Sequence, residues 1–158
     1  PENVKLLLEP MKVDVLSALA VIEHLVDLNA FINSVKKCDF KYFYYSVPTY
    51  GLSVSIESVF QDVFPRHLSS GHTHLFTETS LELLNKKLGI KPIAQWRFGT
   101  DVMDLRRSMD VALKKVEASD YFRDRVFKET EKYADELQSV IDKAHNCSQI
   151  HVLAKKIK

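Results

Sequence analysis

The sequence predicts an α/β fold built around a mainly parallel open sheet, and three neighbouring segments carry that reading. Val13 to Leu19, VDVLSAL, is a mostly apolar run of strand length without polar alternation. Such a run suits a strand buried on both faces of a parallel sheet. Asp27 then caps a helix over Leu28 to Lys37, with Leu28, Phe31, Ile32 and Val35 sharing one face. Phe40 to Val47, FKYFYYSV, is aromatic-rich and ended by Pro48, which makes it a second strand. Strand, helix and strand in this order form a βαβ unit with a right-handed crossover.

The remaining elements follow in sequence. Val4 to Leu8 is a short apolar stretch of edge-strand character. Thr49 to His74 is irregular, and its apolar residues suggest short helical turns over a pocket. Thr77 or Thr79 caps the next helix, with Glu82 completing a capping box from Thr79 and Gly89 as the left-handed stop. Ile90 to Phe98 reads as a third strand with Trp96 in the core. Asp101 to Ala144 is amphipathic and helical, broken near Ser119-Asp120. In its second part Phe122, Val126, Tyr133, Leu137, Val140, Ile141 and Ala144 recur at helical spacing. Gln149 to Ala154 is a short last strand. With no repeat or Ser/Gly linker, the chain reads as one unit. Its parts are a βαβ core (1–50), a substrate-side loop (50–76), a helix and strand (77–100), a helical insertion (101–147) and a final strand (148–158).

Composition narrows the function classes. The chain has 158 residues, 46% of them hydrophobic, which is enough for a real core. A formal charge of +1 and the absence of a basic stripe argue against nucleic acid and anionic membrane. The two cysteines, Cys38 and Cys147, lack metal-like spacing, and a reduced, cytoplasmic protein is the simplest expectation. No apolar run has the length of a membrane span.

Several segments together carry a family resemblance. VDVLSALAVIEHLVD (Val13 to Asp27) resembles the fourth-strand motif of class I S-adenosylmethionine-dependent methyltransferases, F-D-V-V-x-x-x-E-V-I-E-H-L. Ser46 to Pro48 resembles the end of that family's fifth strand. HTHLFTETSLELLNKKLGI (His72 to Ile90) resembles its H-x-H-x-F-T-x-x-S/T-L segment, and QIHVLAKK its final antiparallel strand. The likeness covers nearly the whole chain, in order. It implies the C-terminal half of a Rossmann-like sheet, the fourth to seventh strands, with a helical insertion before the last strand. The implied activity is methyl transfer from S-adenosylmethionine to a small-molecule or glycan-like acceptor, through oxygen.

The family grips its cofactor with a glycine-rich turn, because only glycine lets backbone and helix N-terminus approach the ligand closely. This chain has four glycines, Gly51, Gly71, Gly89 and Gly99, no two of them adjacent. The resemblance therefore implies truncation of the cofactor half, weak binding of S-adenosylmethionine and little activity of this chain alone. The alternatives are a non-catalytic methyltransferase-like interaction domain and a metal-dependent RNA 2′-O-methyltransferase relative. The exposed sheet edge of a half-sheet predicts a homodimer through that edge or through the helical insertion.

The expected site lies after the fourth-strand motif, at the carboxyl end of the sheet beside its topological switch point. Ala20 and Val21 are the cofactor-side positions there. His24 is the candidate base with Glu23 as partner, or the pair simply braces the following helix. Small-RNA 2′-O-methyltransferase relatives bind a divalent ion through E-x-x-E-H and a later histidine. Carried onto this sequence, those positions are Ala20, Glu23, His24 and His74, so three ligands remain and alanine replaces the first glutamate. His72 and His74 share a face of an extended segment and both point toward acceptor. Tyr50, after the second strand, and Arg66 complete the substrate-side candidates, although a surface ion pair is the commoner fate of such an arginine.

Overall fold

The computed structural model describes residues 11–68 and 71–157, and the Val4 to Leu8 stretch lies outside them. Contacts divide the chain into two compact units. The first comprises residues 1–49, 71–96 and 150–158, and the second residues 50–70 and 97–149.

The first unit holds an open four-stranded sheet in the order β1-β2-β4-β3. Its strands are β1 (Lys12–Leu19), β2 (Asp39–Pro48), β3 (Ile90–Phe98) and β4 (Gln149–Lys156). β1 and β2 pair in parallel, with Val15 beside Tyr42, Leu16 beside Phe43 and Leu19 beside Ser46. The contacts of β4 run the other way. Tyr44 meets His151 near the start of β4, whereas Lys156 at its end donates to the Cys38 carbonyl before β2. Likewise Trp96 at the end of β3 meets His151, while Ile157 bonds to Gly89 before β3. β4 is thus antiparallel to both neighbours, as the family resemblance implied for the last strand.

One sheet face is covered by α1 (Leu28–Lys37) and α3 (Glu78–Leu88). Asp27 accepts from the Ala30 amide at 2.8 Å and starts α1, whose Phe31, Ile32 and Val35 are buried. These pack with Leu81, Leu84 and Leu88 of α3 against Leu16, Ala18, Phe43, Tyr45, Ile150 and Val152. The Tyr45 hydroxyl donates to Asn85 at 2.8 Å, which ties β2 to α3, and burial pushes its pKa up to about 12. Thr77 caps α3, with Ser80 completing the capping box in place of the Thr79–Glu82 pair expected. The threonine two residues earlier closes both reciprocal bonds, Thr77 N to Ser80 Oγ at 2.8 Å and Ser80 N to Thr77 Oγ1 at 3.3 Å.

The opposite face departs from the sequence expectation. Val15 is 53% and Leu19 46% exposed, and Trp96, expected in the core, is 63% exposed. Among the described residues β1 lies at the sheet edge with one face covered, so an apolar run did not mean burial on both sides. Trp96 instead lays its ring against His151 at 5.7 Å.

The second unit contains α2 (Leu52–Val59), α4 (Asp101–Lys115), α5 (Asp120–Glu131) and α6 (Ala134–Lys143). Its apolar core is small: Val102, Ala134, Ile141 and Cys147, with Leu52 against them. A buried polar hub does the rest. Asp101, fully buried, accepts from Ser53 N at 3.0 Å, Gln138 Nε2 at 3.0 Å and Ser148 N at 3.1 Å. One side chain thereby satisfies groups from three separate segments, as a buried charge must. Ser119 caps α5 where the break was expected, but a further interruption at Lys132-Tyr133 separates α6. Of the residues expected to form an apolar stripe there, only Ile141 is buried. No residue of α5 is buried; ion pairs such as Arg123–Asp110 at 2.8 Å join it to α4.

Candidate functional site

β1 ends in a strained turn. Ala20 takes the left-handed conformation (φ 51), which costs an L-residue about 1–2 kcal/mol. Its amide donates to Ser46 Oγ at 3.1 Å, so the end of β2 holds the turn in place. Strain of this kind persists only where surrounding structure over-determines it. Here it swings the chain out of the sheet into a short 3-10 turn, Ile22–His24, which carries Glu23 and His24 at the carboxyl end of β1.

A second segment is stapled onto that turn. The Glu23 carbonyl accepts from the Thr73 amide at 2.8 Å and the His74 amide at 3.2 Å. Thr73 Oγ1 lies 2.9 Å from both the Glu23 and Leu25 carbonyls. His24 Nδ1 is 2.6 Å from the Gly71 carbonyl. A carbonyl only accepts, so Nδ1 carries the proton and donates, and Nε2 keeps its lone pair.

The outcome for the histidines differs from the sequence expectation. His72 sits beside His24, ring centroids 4.9 Å apart. His74 turns instead to Thr73 Oγ1 at 2.8 Å and stacks on Phe76 at 6.2 Å. The segment is bent by its bonds to Glu23, so alternate residues no longer share a face. Donor atoms of Glu23, His24 and His72 lie within 4.8 Å of one another, and His74 is not of that group. The histidine brought beside Glu23 and His24 is therefore His72 rather than His74. Glu23 is buried while His24 is exposed, and Glu23 Oε2 has no hydrogen-bond partner among the described residues.

The remaining candidates fall as follows. Ala20 and Val21 are exposed at the end of β1. Tyr50 and Arg66 belong to the second unit. Tyr50 is 59% exposed. Arg66 is engaged by Asp104, Nη1 lying 3.0 and 2.9 Å from the two carboxylate oxygens, and by the Thr100 hydroxyl. That ion pair is the ordinary alternative to an anion-binding role. Sequence reasoning missed Ser46, Gly71 and Thr73, which position the turn through backbone bonds. No residue-type pattern marks such bonds, because any hydroxyl or carbonyl at the right place would make them.

Glu57, in the second unit, also escaped notice. Burial pushes its carboxyl up, but the amides of Leu68, His67 and Arg66 together outweigh burial and hold it below the ordinary carboxylate range. It accepts from those amides at 2.8–3.0 Å and so anchors the 66–68 loop.

No protein-family model matches the chain, and no curated protein matches its sequence. Among solved structures it is similar to a S-adenosylmethionine-dependent methyltransferase from Archaeoglobus fulgidus. That match has 14% identity and a TM-score of 0.48, covering 98% of this chain and 64% of that one. It is also similar to phosphoethanolamine N-methyltransferase 2 of Haemonchus contortus in complex with S-adenosyl-L-methionine, at 14% identity and TM-score 0.46, covering 92% and 33%. A third likeness is to the [4+2]-cyclase SpnF, at 12% identity and TM-score 0.44, covering 91% and 49%. The chain spans between about a third and two thirds of the length of these proteins.

Proposed function

We propose that this chain is the acceptor-side half of a class I S-adenosylmethionine-dependent methyltransferase that methylates a hydroxyl of a small or glycan-like acceptor. The observation that carries the reading is the Glu23-His24 turn. It projects from the carboxyl end of β1, in a sheet with a parallel β1–β2 pair and an antiparallel last strand.

Methyl transfer from a sulfonium needs in-line positioning of the acceptor and, for a hydroxyl, a base. His24 meets the requirement for the base. Its Nδ1 proton is committed to the Gly71 carbonyl, which fixes the ring and leaves Nε2 to take a proton. Its exposure leaves an acceptor free to approach. His72 is the proposed acceptor contact beside it, and Ala20 and Val21 are the cofactor-side positions. His74 is a weaker acceptor contact, already engaged by the Thr73 hydroxyl. None of the four glycines forms a glycine-rich turn, so the reading gives this chain the acceptor side and only weak affinity for S-adenosylmethionine by itself.

Tritium transfer from methyl-labelled S-adenosylmethionine to a panel of neutral sugars, by the protein that carries this chain, tests the proposal. His24→Ala is expected to lower the initial rate about 10²–10⁴-fold, the usual worth of a general base. Equal rates for the two proteins would remove His24 from the chemistry, and absence of any transfer would remove the activity.

A further inference from the structure

We propose that Glu23, His24 and His72 form a binding site for one divalent transition-metal ion of the zinc type. The site shares all three residues with the reading above but rests on geometry alone. An ion on His24 Nε2 takes the lone pair the base would use, so that with the ion bound the ion rather than His24 activates the acceptor. Four observations converge on it.

The first is proximity: a carboxylate oxygen and two imidazole nitrogens lie within 4.8 Å of one another. Donors about 2 Å from a tetrahedral ion stand roughly 3.3 Å apart. Side-chain adjustments on the order of an ångström therefore close the set. The second is the state of Glu23. Its Oε2 is buried and lacks a hydrogen-bond partner among the described residues. A buried unsatisfied oxygen is costly, and for a carboxylate more so, unless a cation or donor meets it. The third is the orientation of His24. Donation from Nδ1 to a backbone carbonyl is the arrangement that fixes a metal-binding imidazole and presents Nε2 to the ion. The fourth is the frame. The Glu23 carbonyl receives the amides of Thr73 and His74, so the two ligand-bearing segments are held together by main-chain bonds that do not involve the ligands themselves.

Two imidazoles beside one carboxylate favour zinc over calcium or magnesium. Three protein ligands leave an open position, as in catalytic rather than structural sites. An ion held there supplies Lewis acidity toward an oxygen in that open position. Ala20 lies three residues before Glu23 and contributes no donor, so the set is complete only through His72.

Calorimetric titration of the chelator-treated chain with Zn²⁺, followed by Co²⁺ absorption spectroscopy, tests the site. One equivalent is expected to bind, with the visible bands of a low-coordinate cobalt centre. His72→Ala and Glu23→Gln should each weaken binding at least about tenfold, and His74→Ala should leave it unchanged. His72 is only half-buried, so its replacement does not endanger the fold. On the unsubstituted chain, Mn²⁺ should broaden amide signals around His24 and His72 first. Absence of saturable binding, a loss at His74→Ala as large as at His72→Ala, or broadening centred elsewhere would overturn the proposal. Binding without any methyl transfer would leave this site standing and remove the activity. Transfer unaffected by chelation, with no metal bound, would do the reverse.

Discussion

Burial holds the His151 imidazole below the ordinary histidine value of 6.5, with the Tyr44 hydroxyl 2.6 Å from its Nδ1 and the Trp96 ring alongside. The unfolded chain therefore takes up this proton before the folded one does. Stability from this residue is full above 6.5 and is lost as pH falls through that value toward the lower folded one. The melting temperature should decline as pH is lowered from about 8 to about 5, and His151→Gln should flatten the decline. Identical slopes for the two proteins would show that the acid sensitivity lies elsewhere. At this scale the sequence was partly legible. Glu23 and His24 stand out because an acidic residue and a histidine follow a strand at the sheet's carboxyl end. Their partner does not, since choosing His72 over His74 depends on bonds to a carbonyl 50 positions away. Nothing in the local pattern around His72 carries that information.

Helix ends were the most legible elements. The Asp27 cap and the span Leu28 to Lys37 expected for α1 are the ones the structure has. Gly89 stops α3 at φ 70, and the space around its absent side chain is open. Gly89→Ala should therefore cost only the backbone penalty, about 1–2 kcal/mol. Denaturant titration measures it, and a much larger loss would mean that packing had been disturbed as well. The break between α5 and α6 was illegible for a related reason. No glycine or proline marks Lys132-Tyr133, and Tyr133 leaves helical geometry at φ −129, ψ 11. Burial of β1 was misread because an apolar strand on the edge of a sheet has the same composition as one in its middle. The pattern of residues reports what a strand is able to bury, and neighbours decide what it does bury.

Across the sheet as a whole, β1 presents a strand edge without a partner among the described residues, flanked by exposed Val15 and Leu19. Unpaired edges of this kind invite pairing with another chain. We expect a homodimer through that edge in multi-angle light scattering, dissociated by Val15→Lys, and a monomer at every concentration would exclude it. Among the described residues no helix is long and apolar enough to cross a membrane.

The hydrogen bond between His24 and Gly71 joins positions 47 apart, and Thr73 reaches back as far to Glu23 and Leu25. Contacts of such separation are slow to form, because chain closure must precede any gain from them. The histidine cluster is therefore expected to assemble after β1 and β2 have paired. Interactions formed after the folding barrier govern how fast a protein comes apart more than how fast it forms. The staple between the two segments acts as a kinetic latch, setting how long the assembled site persists once made.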